Sequence, residues 1–358
     1  MNICVLIGNG FDLALGLKTG YRNFIAEYLK THRESSRPDV KWLCKTISAN
    51  IETWGDAEMA FGKLPFDEAR QSAIETYLAA EESFSVSFQE YLLRENARFQ
   101  IPIEERERTR IQLLRCIGEL SDCMTSGHKS KCRLVNADDV SLSFLNFNYT
   151  DTLEQILGDL PATVAVDGPV SGQVKIETVC HVHGALEGGV LFGVDAPNQI
   201  VSQPVRDYCA RTGETVKPRG AEAAGFAERS AGVELLNHAN VVITFGLSFG
   251  ESDTSWWRLL WGRVFSGGSF AQLIICPYSL KRPVQILGNR MVRNYAEEKK
   301  KVFHSFAGKN ENAQLEGTMA DRIIVLQPLQ DEQNPYDYFH LSTLREKYTK
   351  RGDKLHEP

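Results

Sequence analysis

The sequence lacks the long apolar runs that mark membrane proteins and the paired cysteines of zinc or disulfide scaffolds. No apolar segment of the 358-residue chain approaches the roughly 20 residues that a membrane-spanning helix needs, so no membrane partner is expected. None of the eight cysteines forms a C-x-x-C pair, and a chain of this length has no need of disulfides. We therefore expect reduced thiols and a cytoplasmic protein.

The sequence also lacks an excess of positive charge, internal repeats and low-complexity tracts. Its 40 Lys and Arg residues are outnumbered by 46 Asp and Glu residues, which gives a net charge of -6 and no overall attraction for a polyanion. A nucleic-acid partner is therefore not expected. Apolar residues make up 42% and charged residues 24%, as in ordinary globular proteins, which excludes a disordered chain or a coiled-coil rod.

Short apolar runs alternate with helical patterns along most of the chain. This alternation predicts an α/β fold with a Rossmann-like, doubly wound and mostly parallel sheet. The predicted strands are 3–7, 140–147, 174–182, 190–192, 241–245, 272–276 and 323–326. The predicted helices include 153–157, 221–236, 256–264 and 284–302, and a further helix through 21–29 with Thr19 as its N-cap. Residues 202–220, polar and containing two prolines, are predicted to form an exposed loop.

Residues 38–132 contain no strand-like run, and amphipathic helical spacing dominates there. This stretch predicts a helical insertion. The expected organisation is a discontinuous Rossmann domain of residues 1–37 and 133–330, the insertion, and a C-terminal extension of residues 331–358. Amphipathic helices added to a complete sheet domain need a partner surface, so we expect the insertion to serve sensing or homo-oligomerisation.

The first candidate motif is the Gly-Asn-Gly-Phe-Asp run of residues 8–12, directly after the first predicted strand. Ligands bind at this edge of a parallel sheet, and glycines let backbone amides approach a diphosphate at the start of a helix. Leu13 stands where a Rossmann fingerprint has its third glycine, so the site is not that of an ordinary dehydrogenase. A tight strand-to-helix turn without a ligand explains the same spacing equally well.

The second motif, residues 146–151, reads Asn-Phe-Asn-Tyr-Thr-Asp and follows the second predicted strand of the sheet. Asn148 leaves the strand end-on, and its carboxamide is able to donate and accept hydrogen bonds with a sugar or a water. The alternative is that Asn148 or Asp151 only caps the next helix, which is the commoner use of these residues.

The third motif, His-Val-His-Gly at residues 181–184, closes the strand that begins near Val174. Alternation along the strand predicts that His181 and His183 share one face. No cysteine or carboxylate cluster with matching spacing supports a metal there, so we expect one of them to act as a general base, because imidazole titrates near neutral pH. A structural histidine is the default alternative.

The fourth motif spans residues 245–253 and again follows an apolar strand. Gly246 and Ser248 are potential amide and hydroxyl donors to a phosphate. The carboxylates of Glu251 and Asp253 would repel a phosphate, so we expect them to face a ribose hydroxyl or to cap the helix that follows.

In this order, the four motifs resemble the sirtuin-like superfamily, in particular its NAD-hydrolysing branch in bacterial antiphage defence. More narrowly, residues 7–12 with 16–21, and residues 246–253, look like the AbiH family of abortive phage infection proteins. The resemblance implies an effector that hydrolyses the N-glycosidic bond of NAD to nicotinamide and ADP-ribose in response to a phage-derived trigger. NAD is then the substrate, and no separate cofactor or metal is implied.

The same resemblance assigns roles to single residues. It implies that Asn148 and His183 are catalytic. The binding residues that it implies are Gly8 and Gly10 at the diphosphate and Gly246 and Ser248 at the adenosine half. The further expected contacts to the substrate are Asn9, Asp12, Thr19, Tyr149, Asp151 and Asp253.

Two departures from the sirtuin-like pattern leave other functions open. Thr150 stands where these proteins commonly carry an acidic residue, unless Asp151 takes that role, and this favours a non-hydrolysing sensor or scaffold that binds NAD or ADP-ribose. The paired-cysteine zinc module of sirtuins is missing, which argues against protein deacylation. A third hypothesis is a metal-dependent nuclease. Its magnesium-binding carboxylates would be Asp12, Asp151, Glu251 and Asp253.

Overall fold

A computed structural model describes most of the chain. The described residues are 1–64, 71–135, 139–166, 172–218, 227–265, 271–279, 322–326, 328–329, 331 and 333–350. The predicted helix 284–302 lies outside them, as do residues 221–226 of another predicted helix, 219–220 of the predicted loop and 351–358 of the predicted extension.

A seven-stranded sheet forms the centre of the described structure. The strands are β1 (Asn2–Ile7), β2 (Val140–Asn146), β3 (Ala162–Val166), β4 (Gly172–His181), β5 (Gly184–Ala185), β6 (Gly189–Val190), β7 (Val241–Phe245), β8 (Gln272–Cys276) and β9 (Ile323–Val325). The sheet order is β3-β4-β2-β1-β7-β8-β9, and among the described pairs of this sheet only β3–β4 is antiparallel. Strands β5 and β6 form a separate short hairpin.

Helices cover both faces of the sheet. They are α1 (Gly10–Ala14), α2 (Tyr21–His32), α3 (Pro38–Ala49), α4 (Ala57–Gly62), α5 (Gln71–Asn96), α6 (Arg106–Glu119), α7 (Ser126–Lys129), α8 (Thr152–Leu157), α9 (Gln203–Thr212), α10 (Ala227–His238), α11 (Thr254–Phe265) and α12 (Leu341–Tyr348). Among these described helices, none combines the length and apolarity that crossing a membrane demands.

Alternation along β1 shows why its sequence is apolar throughout. Ile3, Val5 and Ile7 pack into a core that includes side chains of α6, α8 and α12. Cys4 and Leu6 point to the opposite face, into a core that includes side chains of α10 and α11. A parallel strand covered on both faces has no solvent side, so it needs no polar positions. The predicted Rossmann-like α/β fold class is confirmed.

A separate aromatic core lies beside the sheet. It is built from α2 to α5, α9 and the segment that follows β4, and we call it the helical core. Phe24, Phe61, Phe84 and Phe192 meet in it at ring distances of 4.9 to 5.6 Å. Helix α6, although it lies within the predicted insertion, packs on the sheet instead.

Three secondary-structure predictions are wrong. The described part of the predicted loop, 202–218, is not an exposed loop, because α9 begins with a proline in its first turn, where the missing N–H costs nothing, and buries Val205 and Cys209. The predicted strand 190–192 is reduced to the two-residue strand β6. The edge strand β3 was not predicted; its apolar run is only the three residues Val164–Val166, and Val166 alone of its residues is buried.

Candidate functional site

The carboxyl ends of four neighbouring strands place the four motifs at one edge of the sheet. Asn146 of β2 pairs in register with His181 of β4 and with Ile7 of β1, and Ile7 also pairs with Phe245 of β7. The segments after these residues therefore leave the sheet side by side, as the sequence predicted.

Two of these segments close on each other through glycines. The amides of Gly8 and Gly10 donate to the carbonyl oxygens of Phe245 and Gly246, at 2.9 and 3.0 Å. A Cβ atom on Gly10 would lie 2.5 Å from Cα of Gly246, which itself has a φ of +68°. We call Gly8, Gly10 and Gly246 the glycine contact.

The glycine contact lies between β1 and β7, where connections to the next strands diverge to the two sides of the sheet. Open α/β sheets bind ligands in the crevice at such a point. Here backbone fills it, and the amides of Gly8 and Gly10 already have partners. The diphosphate role of Gly8 and Gly10 stays a prediction, as does the adenosine role of Gly246 and Ser248, the latter an exposed residue.

Asn9 and Thr19 are joined next to this contact. The hydroxyl of Thr19 donates to Oδ1 of Asn9 at 2.5 Å. Gly20 is the N-cap of α2, so the prediction that Thr19 caps this helix is wrong. The reason is that its hydroxyl is engaged with Asn9 rather than with the helix amides.

Asp12 is buried under the second motif. Its two carboxylate oxygens accept hydrogen bonds from the hydroxyls of Thr150 and Thr152, at 2.8 and 2.7 Å. Burial raises the pKa of Asp12 to about 6, although these hydroxyls oppose the shift. Thr150 therefore holds Asp12, while the neighbouring Asp151 accepts a bond from Gln155 and is exposed.

Asn148 is held in place by three contacts. Its Nδ2 donates to the carbonyl oxygen of Gly8 at 3.3 Å, and its backbone N–H donates to Oδ1 of Asn146 at 3.0 Å. Its own carbonyl oxygen lies 2.9 Å from Nδ1 of His181. Asn148 is 5% exposed at the sheet edge. Asn148 therefore does not act as a helix cap.

His183 lies in a group of buried ionisable side chains. Its Nε2 is 2.8 Å from Oδ1 of Asp253, without hydrogen-bond geometry, and its Nδ1 has no hydrogen-bond partner in the described part of the chain. Nζ of Lys217 lies 2.7 Å from Asp253 and 3.0 Å from Glu58. We call Glu58, His183, Lys217 and Asp253 the charged centre.

The charges of this centre determine its protonation. Burial lowers the pKa of His183, and the charge of Lys217 lowers it further against the opposing effect of Asp253. The imidazole is therefore neutral at pH 7. Burial alone would raise the pKa of Asp253, but Lys217 and His183 hold it well below its ordinary value. Burial raises the pKa of Glu58 to about 7 despite Lys217.

Aromatic side chains surround the imidazole. The Phe147 ring meets His183 edge-on at 5.5 Å, and the Tyr149 ring lies at 6.5 Å. The Tyr149 hydroxyl is 3.2 Å from the carbonyl oxygen of Leu191 and 3.4 Å from Glu58. Phe147 belongs to a sheet core and Tyr149 to the helical core, so the charged centre lies where the two cores meet.

The family model for bacteriophage abortive infection AbiH matches residues 4–266. The chain belongs to the AbiH family. This membership gives the protein a role in abortive phage infection. No curated protein matches the chain significantly. Placement in the sirtuin-like superfamily stays a prediction.

The two histidines of this AbiH-family protein have separate surroundings. His181 lies 2.5 Å from Glu154 of α8, whereas His183 faces Asp253. The prediction that alternation places them together fails because β4 ends at His181 and the chain turns at Gly184, whose φ is +79°. No metal-binding group of three or more His, Cys, Asp or Glu residues exists among the described residues.

The four carboxylates of the nuclease hypothesis are also apart. Asp12 is bonded to two threonines, Asp151 to Gln155, and Asp253 to Lys217, while Glu251 is exposed. These four carboxylates therefore do not form a metal-binding group. Asp253 does not cap α11 either. The first-turn amide of Ser255 donates instead to Oδ2 of Asp195, at 2.8 Å.

Three residues around the site were not predicted from the sequence: Glu58, Asp195 and Lys217. Glu58 had a signal, since it lies in the apolar run Ala57–Phe61, and a lone acid among buried residues needs a partner. Lys217 had none, because it falls in the stretch that was predicted to be a loop. A cavity of about 280 Å³ between α5 and residues 213–217 reaches Lys217.

Proposed function

We propose that this AbiH-family protein acts in abortive infection by hydrolysing the N-glycosidic bond of NAD, with nicotinamide and ADP-ribose as products. The observation that carries this proposal is the neutral, buried imidazole of His183, 2.8 Å from an ionised Asp253. A general base needs this protonation state at neutral pH, and a carboxylate neighbour stabilises the imidazolium that forms. Asn148 lies at the same sheet edge.

The charge of the centre suits this reaction better than reactions of phosphate. Nicotinamide leaves as a neutral group, and the ribosyl transition state resembles an oxocarbenium cation. The negative charge of Asp253 is balanced by Lys217, and Glu58, when ionised, adds a second negative charge. A centre that is neutral to negative stabilises a cation and repels a phosphate.

Two side chains take the reacting roles. His183 accepts the proton of the attacking water or of a ribose hydroxyl, a contribution of roughly 100- to 10,000-fold. Asn148 orients the ribose or the water through its carboxamide, whose Nδ2 is held by the carbonyl oxygen of Gly8, while Asn146 holds the backbone N–H of Asn148. Phe147 and Tyr149 keep bulk water from the imidazole and so strengthen these electrostatic interactions.

Nicotinamide release from NAD tests the proposal. The wild-type protein is compared with His183→Ala, Asn148→Ala and a matched control, His238→Ala, which removes an exposed histidine on α10. We expect losses of about 100-fold or more in kcat for the first two and none for the control. Because the pKa of His183 is lowered, the wild-type rate should fall only below the ordinary histidine range near pH 6.5.

The measurement has two contrary outcomes. If the His183→Ala and Asn148→Ala variants release nicotinamide as fast as the wild type, these residues are not catalytic. If NAD or ADP-ribose stabilises the wild type on heating and no nicotinamide forms, the protein is a non-hydrolysing sensor.

Regulation belongs to the same proposal. Uncontrolled hydrolysis would exhaust the NAD of the host, so a phage-derived trigger is needed. A homo-oligomer is proposed with it, and the helices of residues 38–132 expose Ile51, Val86 and Leu93. Light scattering of the purified protein tests the oligomer, and a strictly monomeric protein would contradict it.

A further inference from the structure

His181, which the proposed reaction does not use directly, is tied to the segment that carries Asn148. Its Nδ1 lies 2.9 Å from the main-chain carbonyl oxygen of Asn148, and its Nε2 lies 2.5 Å from Oε1 of Glu154. The histidine comes from the end of β4 and the carboxylate from the first turn of α8. The imidazole therefore bridges a strand, a helix and the segment between β2 and that helix.

Both ring nitrogens need a proton for this bridge. A carbonyl oxygen and a carboxylate only accept hydrogen bonds, and a neutral imidazole donates only one. The imidazolium therefore satisfies Asn148 and Glu154 together, whereas the neutral ring satisfies one of them. The other oxygen of Glu154, Oε2, is buried without a hydrogen-bond partner among the described residues, so His181 is the contact that neutralises this carboxylate.

We infer that His181 and Glu154 position the catalytic amide: the protonated histidine anchors the main-chain carbonyl of Asn148, and this fixes the carboxamide against the ribose. This inference rests on the proposed function, in which Asn148 contacts the substrate. His181 acts through Asn148 and is a positioning residue. The two histidines of one motif then have opposite requirements, since His183 works as the free base and His181 as the cation.

The charges around His181 agree with this role. Burial alone would lower its pKa, but the hydrogen bond and charge of Glu154, the Asn148 carbonyl and the charge of Asp151 raise it above the ordinary value. These are the groups that face the imidazole from the described elements packed against it. Activity should therefore fall on the acid side as His183 gains a proton and on the alkaline side as His181 loses one.

The sharpest test replaces Glu154 by Gln, which keeps the shape and removes the charge. Nicotinamide release is followed against pH for the wild type, Glu154→Gln and the control Glu234→Gln, an exposed position on α10. In the pH–rate profile of Glu154→Gln we expect the alkaline limb to move to lower pH by about one unit. The acid limb, which reflects His183, should stay in place. The same samples, labelled at histidine, give the titration of His181 by NMR, assigned with His181→Gln.

Each outcome decides the inference. The inference is supported if, in Glu154→Gln, the alkaline limb of the pH–rate profile and the NMR titration of His181 move to lower pH by the same amount. A shifted His181 titration with an unchanged rate profile overturns it, and so does an unshifted titration. If the wild type releases no nicotinamide, the proposed function has failed. The role of His181 in positioning Asn148 is then tested by the NMR shift of the Asn148 side-chain amide, measured against pH. A shift that changes with pH in parallel with the titration of His181 supports this positioning role. A shift that does not change as His181 titrates overturns it.

Discussion

The glycine contact and the charged centre lie at the same edge of the sheet and are built differently. In the first, Gly8, Gly10 and Gly246 let two backbone segments meet with their amides paired to carbonyl oxygens. In the second, His183 lies among two carboxylates and an ammonium group, and neither of its ring nitrogens has a hydrogen-bond partner in the described structure. The glycine motif thus forms a contact between two backbone segments, whereas the charged centre joins His183 and Asp253 of the third and fourth motifs to two residues that belong to no motif, Glu58 and Lys217.

The largest expected effect comes from removing the cation of the charged centre. Lys217→Met leaves the buried Asp253 and Glu58 without their partner, so we expect a loss of about 3–5 kcal/mol in the free energy of unfolding. Lys347→Met is the matched control, because Lys347 pairs with Glu105 at the surface, where water screens the two charges and little stability is lost with the pair. Urea unfolding of both variants gives the difference.

A second substitution shows whether the loss reflects unpaired charge. Glu58→Gln removes one of the two carboxylates that Lys217→Met leaves unpaired. The double variant Lys217→Met/Glu58→Gln should therefore be more stable than Lys217→Met alone. Equal and small losses in Lys217→Met and Lys347→Met would contradict a desolvated charged centre.

The second-largest expected effect is a pH dependence of the free energy of unfolding, which arises from Asp12. Asp12, with a folded-state pKa of about 6, is stabilised in its protonated form by burial. Because the pKa is raised above the unfolded value near 3.9, the contribution is fully present below about pH 4 and is lost as pH rises to 6. The unfolding free energy of the wild type should fall by about 2 kcal/mol between pH 4 and 6, relative to Asp12→Asn, and by about 3 kcal/mol over the whole titration.

Asp12→Asn is a suitable reference because its amide keeps the size of the side chain and cannot ionise. Other titrating groups contribute equally to both proteins and cancel in the difference. The free energies are compared at pH 4, 5 and 6 by urea unfolding. A difference that does not change with pH would mean that Asp12 stays ionised in the folded protein.

The fold was predictable where local pattern and burial coincide. Strands β1, β7 and β8 are buried at nearly every position, so their sequences are continuous apolar runs that identify them. Helix α9 and strand β3 were not predicted, for the opposite reason. Their buried residues are few, and the proline that begins α9 is as common in loops as in a first helical turn.

The site was predictable only in its location. Strand ends located His183 and Asn148 at one edge, because parallel strands end together. The rest of the charged centre comes from far along the chain: Lys217, from the segment after α9, joins Asp253 to Glu58 of α4. No local spacing encodes a contact between residues 159 positions apart, so the charged centre became visible only with the tertiary structure.

The smallest effect concerns the glycine contact itself. Gly10→Ala places a Cβ atom 2.5 Å from Cα of Gly246 and 2.8 Å from the Tyr278 ring, so the two segments must separate. We expect a loss of about 1–3 kcal/mol in the free energy of unfolding, as for other overpacked sites. Gly262→Ala, in α11, is the control. Nothing lies within 4 Å of the added carbon there, and alanine should stabilise the helix by about 0.5–1 kcal/mol.

Nicotinamide release in the same two variants separates packing from ligand binding at Gly10. If the glycine contact only joins two segments, Gly10→Ala should lose stability while its KM for NAD stays near that of Gly262→Ala at a temperature where both are folded. If the Gly10 amide holds the diphosphate of NAD, the KM should instead rise well beyond the control. The second result would mean that the contact opens to admit the substrate, and the crevice between β1 and β7 would then belong to the same site as the charged centre.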